Sequence, residues 1–224
     1  MKHFKLVSLL LFTILVLSCS STKNASDGSG ETVLPDFSKI DSYEQLLTRA
    51  KAMDTTLSFY ELRMAYTKTD DYAPYGADGS DEFKEAMENL ESGNLAEAEK
   101  LIYKALEYEY LSPRKHMIAA AIQRELGNED KYEYHVYFYL NALASIALSG
   151  EGKTPATAMV VISVAEEYDY LGFMGYDFMG QALLDSDYGA VDQISVTDKE
   201  SKESLDLYFN VSIPMGHLQN SLSK

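Results

Sequence analysis

The hydrophobic period of the chain changes near Gly150, and that change narrows the fold more than any other feature. Before it, apolar side chains recur at helical spacing; Tyr43, Leu46, Leu47, Ala50 and Met53 stand at i, i+3, i+4, i+7 and beyond. Near the end, Leu205, Leu207, Phe209, Val211 and Ile213 alternate with Asp206, Tyr208, Asn210 and Ser212. That period of two belongs to a strand with one buried and one wet face. Helices first and strands last predict an α+β domain.

Punctuation refines this. Asp41 or Ser42 caps the first helix, and Ser58 with Glu61 forms a capping box opening a second helix that runs through Tyr66. A loop over residues 70–80 contains Pro74, Gly76 and Gly79. Four helices follow, over about 81–92, 95–110, 113–126 and 129–149, with Ser112-Pro113 as cap and first helical residue. Gly93-Asn94 and Gly127-Asn128 lie 34 residues apart, the tetratricopeptide period. Ala86, Ala98, Ala105 and Ala120 suit the small contact positions of such repeats, but Tyr132 and Tyr139 are too large for theirs. The expectation is a pair of degenerate, tetratricopeptide-like hairpins. After Gly150, residues 159–164 suit a buried strand. Residues 165–184 read as a helix kinked or closely packed at Gly172, Gly175 and Gly180. Strands over 191–197 and 205–213 pair as a hairpin through the charged turn 198–203. The predicted architecture therefore packs N-terminal hairpins (34–149) with a small C-terminal antiparallel sheet and one helix (150–224), together one domain.

The first 18 residues are of another kind. Lys2, His3 and Lys5 precede an apolar run, residues 6–17, broken only by Ser8 and Thr13. It is too short for a stable span, which needs roughly 20 residues, and it matches a signal-peptide core. Val16-Leu17-Ser18-Cys19 resembles the lipobox of bacterial lipoproteins. The resemblance implies cleavage before Cys19, acyl chains (palmitate among them) on that residue, and a membrane-held protein of the cell envelope. Residues 19–33 then form a flexible tether, too poor in apolar surface to fold. Ser20 resembles outer-membrane sorting, and with no acidic cluster behind Cys19 the periplasmic face is favoured over the cell surface. Cys19 is the only cysteine, so thiol catalysis, cysteine metal sites and intramolecular disulfides are excluded and the core must supply stability. With Lys2 and Lys5 removed, 17 basic against 35 acidic residues leave −18. A surface this acidic repels nucleic acid; it is read first as keeping an envelope protein soluble, with affinity for a cationic partner or for calcium as the lesser alternative.

Several segments together resemble a bacterial family, domain-of-unknown-function family 4919, common among Bacteroidota. They are Pro35-Asp36-Phe37-Ser38-Lys39, Asp54-Thr55-Thr56-Leu57, Tyr72-Ala73-Pro74-Tyr75, Gly150-Glu151-Gly152-Lys153-Thr154-Pro155, Val161-Ile162-Ser163-Val164-Ala165-Glu166-Glu167-Tyr168 and Leu207-Tyr208-Phe209-Asn210-Val211. The resemblance would cover 34–218 and implies no activity.

Residues 147–154 satisfy a relaxed P-loop string, but a helix precedes the loop, Pro155 follows it and a strand comes next. That order is the inverse of a phosphate-binding loop, so no nucleotide is expected. His116, His135 and His217 lack metal spacing, and Asp185, Asp187 and Asp192 lack a calcium loop's closing glutamate, so neither metal nor other cofactor is expected. Ser149 and Ser163 sit in no nucleophile elbow. Seventeen tyrosines without tryptophan are the compositional anomaly. Tyr103, Tyr108, Tyr132, Tyr134 and Tyr137 are the candidate partner-binding surface, since tyrosine suits places where an apolar ring is covered and its hydroxyl stays wet. The favoured reading is a lipid-anchored, non-enzymatic interaction module whose partner is a protein or other envelope component. The alternative is an envelope hydrolase acting on glycan or peptide through acidic residues. The anchor is directly testable: Cys19→Ala should abolish palmitate labelling and release the protein from the membrane fraction, and continued labelling would refute the lipobox.

Overall fold

Among the described residues, six α-helices precede the first strand, as the helical period requires. The computed structural model describes residues 41–76 and 80–223; the signal peptide, Cys19, the tether and the Pro35–Lys39 motif lie outside the described residues. The helices are α1 (Tyr43–Lys51), α2 (Phe59–Tyr66), α3 (Ser80–Glu91), α4 (Leu95–Tyr108), α5 (Pro113–Glu125) and α6 (Glu129–Ala147). Ser42 caps α1 with a full capping box, Gln45 answering back to its N–H. Ser58 accepts from Glu61 N at 3.2 Å, the forward half of the predicted box. Gly93 and Gly127 both take left-handed φ, +79° and +73°. Each ends its helix alike: Asn94 N reaches Asn89 O at 2.8 Å and Asn128 N reaches Gln123 O at 2.9 Å. That is a Schellman closure, which needs the positive φ that glycine adopts without a Cβ clash. The repeated Gly-Asn signal thus marks two equivalent helix ends, and α3 packs on α4 as α5 packs on α6.

After Gly150 come β1 (Met159–Val160), α7 (Val164–Met174), β2 (Tyr176–Ser186), β3 (Gly189–Asp198), β4 (Ser204–Asn210) and α8 (Ser212–Leu222). The sheet order is β1-β4-β3-β2. The predicted β3–β4 hairpin is present, with Ile194 opposite Leu207 and Asp192 opposite Phe209. Three details differ from expectation. The sheet is mixed rather than antiparallel, because β1 returns parallel to β4 with Met159 opposite Phe209. The glycine-interrupted helix is a helix followed by a strand: Gly175 at φ +77° closes α7, and Tyr176 starts β2. β2 is an edge strand exposed over most of both faces, so no alternation betrayed it. The chain after Val211 turns into α8, whose start has no side-chain cap; two helices therefore accompany the sheet instead of one.

The described residues after position 40 form one compact unit with three apolar clusters. One joins α1, α2 and α6 through Leu46, Leu62 and Phe138; another joins α3, α4 and α5 through Ala86, Ile102 and Ile122. The third sets Leu143 and Ile146 of α6 against Leu171, Ile194, Val196 and Phe209. α6 is thus the spine shared by a helical cluster and the sheet cluster. Between them lies Arg63, fully buried on α2. Its Nε and Nη2 donate to Glu166 of α7 at 2.9 and 2.5 Å, and its Nη1 donates to Ser145 Oγ of α6 at 3.2 Å. Nη2 also donates to Val160 O of β1 at 3.0 Å, and Glu166 Oε2 accepts Ile162 N at 2.8 Å. Removing one partner of a buried pair strands the other charge, so Arg63→Ala should cost about 3–5 kcal/mol in urea unfolding. Arg63→Lys should recover only part, since one ammonium cannot serve the forked acceptors; full recovery would show that charge alone matters there.

Candidate functional site

On α1, Tyr43, Leu47 and Lys51 fall at i, i+4 and i+8 and so share one stripe. On α4, Tyr103, Leu106 and Glu107 do the same, and Tyr110 follows beyond the helix end. The two stripes line a groove of about 870 Å³, to which Tyr66, Asp71, Ala73 and Tyr108 also contribute. Five tyrosines, two carboxylates and one ammonium line it. Tyr108 is 40% exposed, and the other four rings are half-buried. Tyr43 and Tyr66 lie 5.4 Å apart, and Tyr66 Oη donates to Asp71 O at 3.0 Å. Lys51 Nζ sits 4.3 Å from the centroid of the Tyr110 ring, a cation–π contact. Burial, with Asp71 among the nearby charges, raises the phenols of Tyr43 and Tyr66, so both stay protonated as donors at neutral pH.

The groove stands on a hydrogen-bonded floor. His116 and His135 are buried at 1% exposure each, with Nδ1 facing Nδ1 at 2.9 Å. Desolvation pushes both below their ordinary 6.5, to about 3 and about 4, so both are neutral. A single tautomer assignment satisfies every bond. Tyr110 O can only accept, so His116 Nε2 carries a proton and donates at 2.7 Å. His116 Nδ1 therefore accepts from His135 Nδ1–H, and His135 Nε2 accepts from Tyr103 Oη at 3.2 Å. Tyr103 Oη accepts in turn from Gln123 Nε2 at 3.2 Å. The Tyr110 hydroxyl bonds that of Tyr134, and its ring packs on the edges of His116 and Phe138. Two groove tyrosines are thereby held at both ends of one chain of donors.

Of the five tyrosines read from the sequence, Tyr103 and Tyr108 line the groove. Tyr134 lies beneath it as the partner of Tyr110. Tyr137 is spent on Asp54 O at 2.8 Å and on the edge of Phe59, and Tyr132 is half-buried elsewhere on α6. The sequence reading missed Tyr43, Lys51, Tyr66 and Tyr110, although the spacing 43, 47, 51 was legible on α1. It also missed the histidine pair, whose members meet only when α5 packs on α6.

The acidic residues occupy other places. Glu167 is wholly buried, and neither of its oxygens finds a donor. Asp192 beside it accepts from Gln181 Nε2 at 2.6 Å, and Gln181 Oε1 accepts from Tyr168 Oη at 2.9 Å. With no donor left over, Glu167 keeps its own proton and shares it with Asp192; burial raises it to about 9. The pair is in contact, shut from solvent, and does not span a cleft. Asp169, raised to about 6 by burial, opens on a recess of about 500 Å³ shared with Glu109. Arg114 Nε clamps Asp169 at 3.0 Å, and Lys115 clamps Glu109 at 2.7 Å. Asp185 and Asp187 are exposed while Asp192 turns inward. Lys153 is exposed beside Glu151 at 3.2 Å, and the Gly152 N–H and carbonyl are bonded to Thr157 O and Tyr208 N. Ser149 bonds Ile146 O and Val160 N, and Ser163 caps α7.

The shifted groups set a two-sided pH dependence. Below 6.5 the unfolded state takes up protons that His116 and His135 refuse in the fold, so stability drops as pH falls toward 4. Glu167 acts oppositely: its contribution is full below 4.5 and is lost as pH rises through about 9. Urea midpoints across pH 4–10 should show both limbs, with Glu167→Gln flattening the alkaline one and His135→Gln the acid one. An unchanged alkaline limb in Glu167→Gln would refute the buried protonated acid.

A family model described as "Domain of unknown function (DUF4919)" matches residues 32–219. No curated protein and no solved structure matches the chain.

Proposed function

The chain belongs to the DUF4919 family, and from that premise we propose that it is a non-enzymatic binding module whose ligand face is the tyrosine-lined groove between α1 and α4. The observation that carries the reading is the groove itself: about 870 Å³, five tyrosines, and only a few charged groups at its walls. Ligand sites are commonly concave, largely aromatic or apolar, and furnished with a few convergent polar groups. Tyrosine offers rigid contact area with a hydroxyl at its tip and little rotamer entropy to lose. The two helix pairs with 34-residue spacing act as a tetratricopeptide-like scaffold, and their Schellman ends and histidine chain pre-organise the rings. The leader ending in Cys19 supports a bacterial lipoprotein of Bacteroidota type, held at the outer membrane. The tether would let the domain meet a protein or other envelope component away from the lipid surface.

The hydrolase alternative has one foothold, the recess holding Asp169 and Glu109. Each carboxylate there is already paired with its own cation, although burial raises Asp169 to about 6. A photo-crosslinking residue at position 108, compared with one at Lys199 in intact cells, tests the groove. Adducts should form from 108 alone, while Tyr108→Ala changes stability by less than about 0.5 kcal/mol. Equal labelling from both positions, or none from 108, would overturn the assignment.

A further inference from the structure

The groove already holds a cation of its own. Lys51, exposed at the end of α1, rests its ammonium 4.3 Å from the Tyr110 ring centroid. That ring cannot turn away, because its hydroxyl is bonded to Tyr134 and it meets His116 and Phe138 edge to face. The face is therefore a preformed cation receptor. Two carboxylates, Asp71 and Glu107, line the same groove, and Glu44 and Glu109 lie close enough to act on Tyr43 and Tyr66 respectively. Lys51 is the only cationic side chain among the described lining residues. The mature chain reinforces the sign, with 17 basic against 35 acidic residues once Lys2 and Lys5 are gone, which steers cations inward and anions away.

We propose, resting on the groove as ligand face, that it takes a lysine- or arginine-bearing segment of an extended peptide, and that Lys51 is the resident cation which such a segment displaces. A volume of about 870 Å³ far exceeds one ammonium, so a stretch of peptide fills it rather than a lone ion. The phenol groups and the Asp71 and Glu107 carboxylates can bind the donors of the incoming side chain and its backbone. A saccharide fits less well: Lys51 covers the Tyr110 face, and Tyr43 and Tyr66 are inclined at 43° to each other, leaving no flat platform. A guanidinium or ammonium on a flexible stem can trade places with Lys51 without moving the floor.

The test is calorimetric titration of the full chain with a set of decapeptides of one sequence, carrying lysine and arginine, glutamine in their place, or glutamate in their place, and with chito-oligosaccharide. The basic peptide should bind, the glutamine peptide at least about tenfold more weakly, and the glutamate peptide not at all, with binding weakened by salt. Lys51→Ala, with a melting temperature lowered by no more than a few degrees, should tighten the basic peptide by roughly two- to fivefold, the worth of one exposed cation–π contact. Lys51→Arg should not. Equal affinity for the glutamine peptide, or unchanged or weaker binding in Lys51→Ala, would overturn the displacement. Saccharide or neutral peptide binding that Tyr108→Ala abolishes, without basic-peptide binding, would overturn the cationic ligand yet leave the groove as binding face. No probe binding at all would sink both.

Discussion

A buried guanidinium holds the two halves of this protein in one arrangement. Arg63 reaches from α2 through the seam between helices and sheet, meeting a carboxylate of α7, a hydroxyl of α6 and a carbonyl of β1. Apolar clusters on either side of the seam could slide against each other at little cost, because dispersion and hydrophobic burial are non-directional. A forked donor is directional. Its desolvation is offset only when Glu166 and the neighbouring acceptors stand where they do, so the register between α2, α6, β1 and α7 follows from satisfying one side chain. α7 extends that logic: Glu166, Glu167 and Asp169 point to α2, β3 and α5 respectively. Glu166 also sits in the first turn, where the helix dipole favours its negative charge.

The groove is the counterpart of that rigidity on the helical side. Its rings are ordered from below by an oriented chain running from Gln123 through Tyr103, His135 and His116 to the Tyr110 carbonyl. Neutral histidines suit this role because each offers one donor and one acceptor on opposite sides of a flat ring. Protonating either would leave a charged imidazolium in a dry interior, and that desolvation lowers both pKa values. The same packing sets His116 flat on Phe138 at 4.5 Å, so the chain is sterically as well as electrically confined. The rings above it therefore present faces whose ordering cost was met on folding.

Local signals carried α1 through α6 well. Ser42, Ser58 and Ser112 cap where expected, and Gly93 and Gly127 end their helices, because caps and left-handed glycines act within a few residues. The same locality explains the misses. Gly175 looked like one of three interruptions in a helix; it is the end of α7, and β2 beyond it lies at the sheet edge with little burial to impose a period. α8 starts without a side-chain cap and follows a strand whose alternation ran smoothly into it. The parallel partner of β4 is a two-residue strand 50 positions earlier, too short to announce a direction.

The site divides in the same way. Sequence alone determined the α+β order, the boundaries of α1 to α6 to within a few residues, the β3–β4 hairpin and an abundance of tyrosine on α4 and α6, all properties of spacing along one element. Which tyrosines share a groove was decided only when α1 came to face α4, which sent Tyr103 and Tyr108 to the surface and turned Tyr137 to Asp54. The His116–His135 bond, the Arg63–Glu166 pair and the Glu167–Asp192 contact likewise join residues 19, 103 and 25 positions apart. Periodicity specifies which face of an element is covered, but not which face of another element covers it. That choice belongs to long-range packing, because only there are buried polar groups either satisfied or stranded.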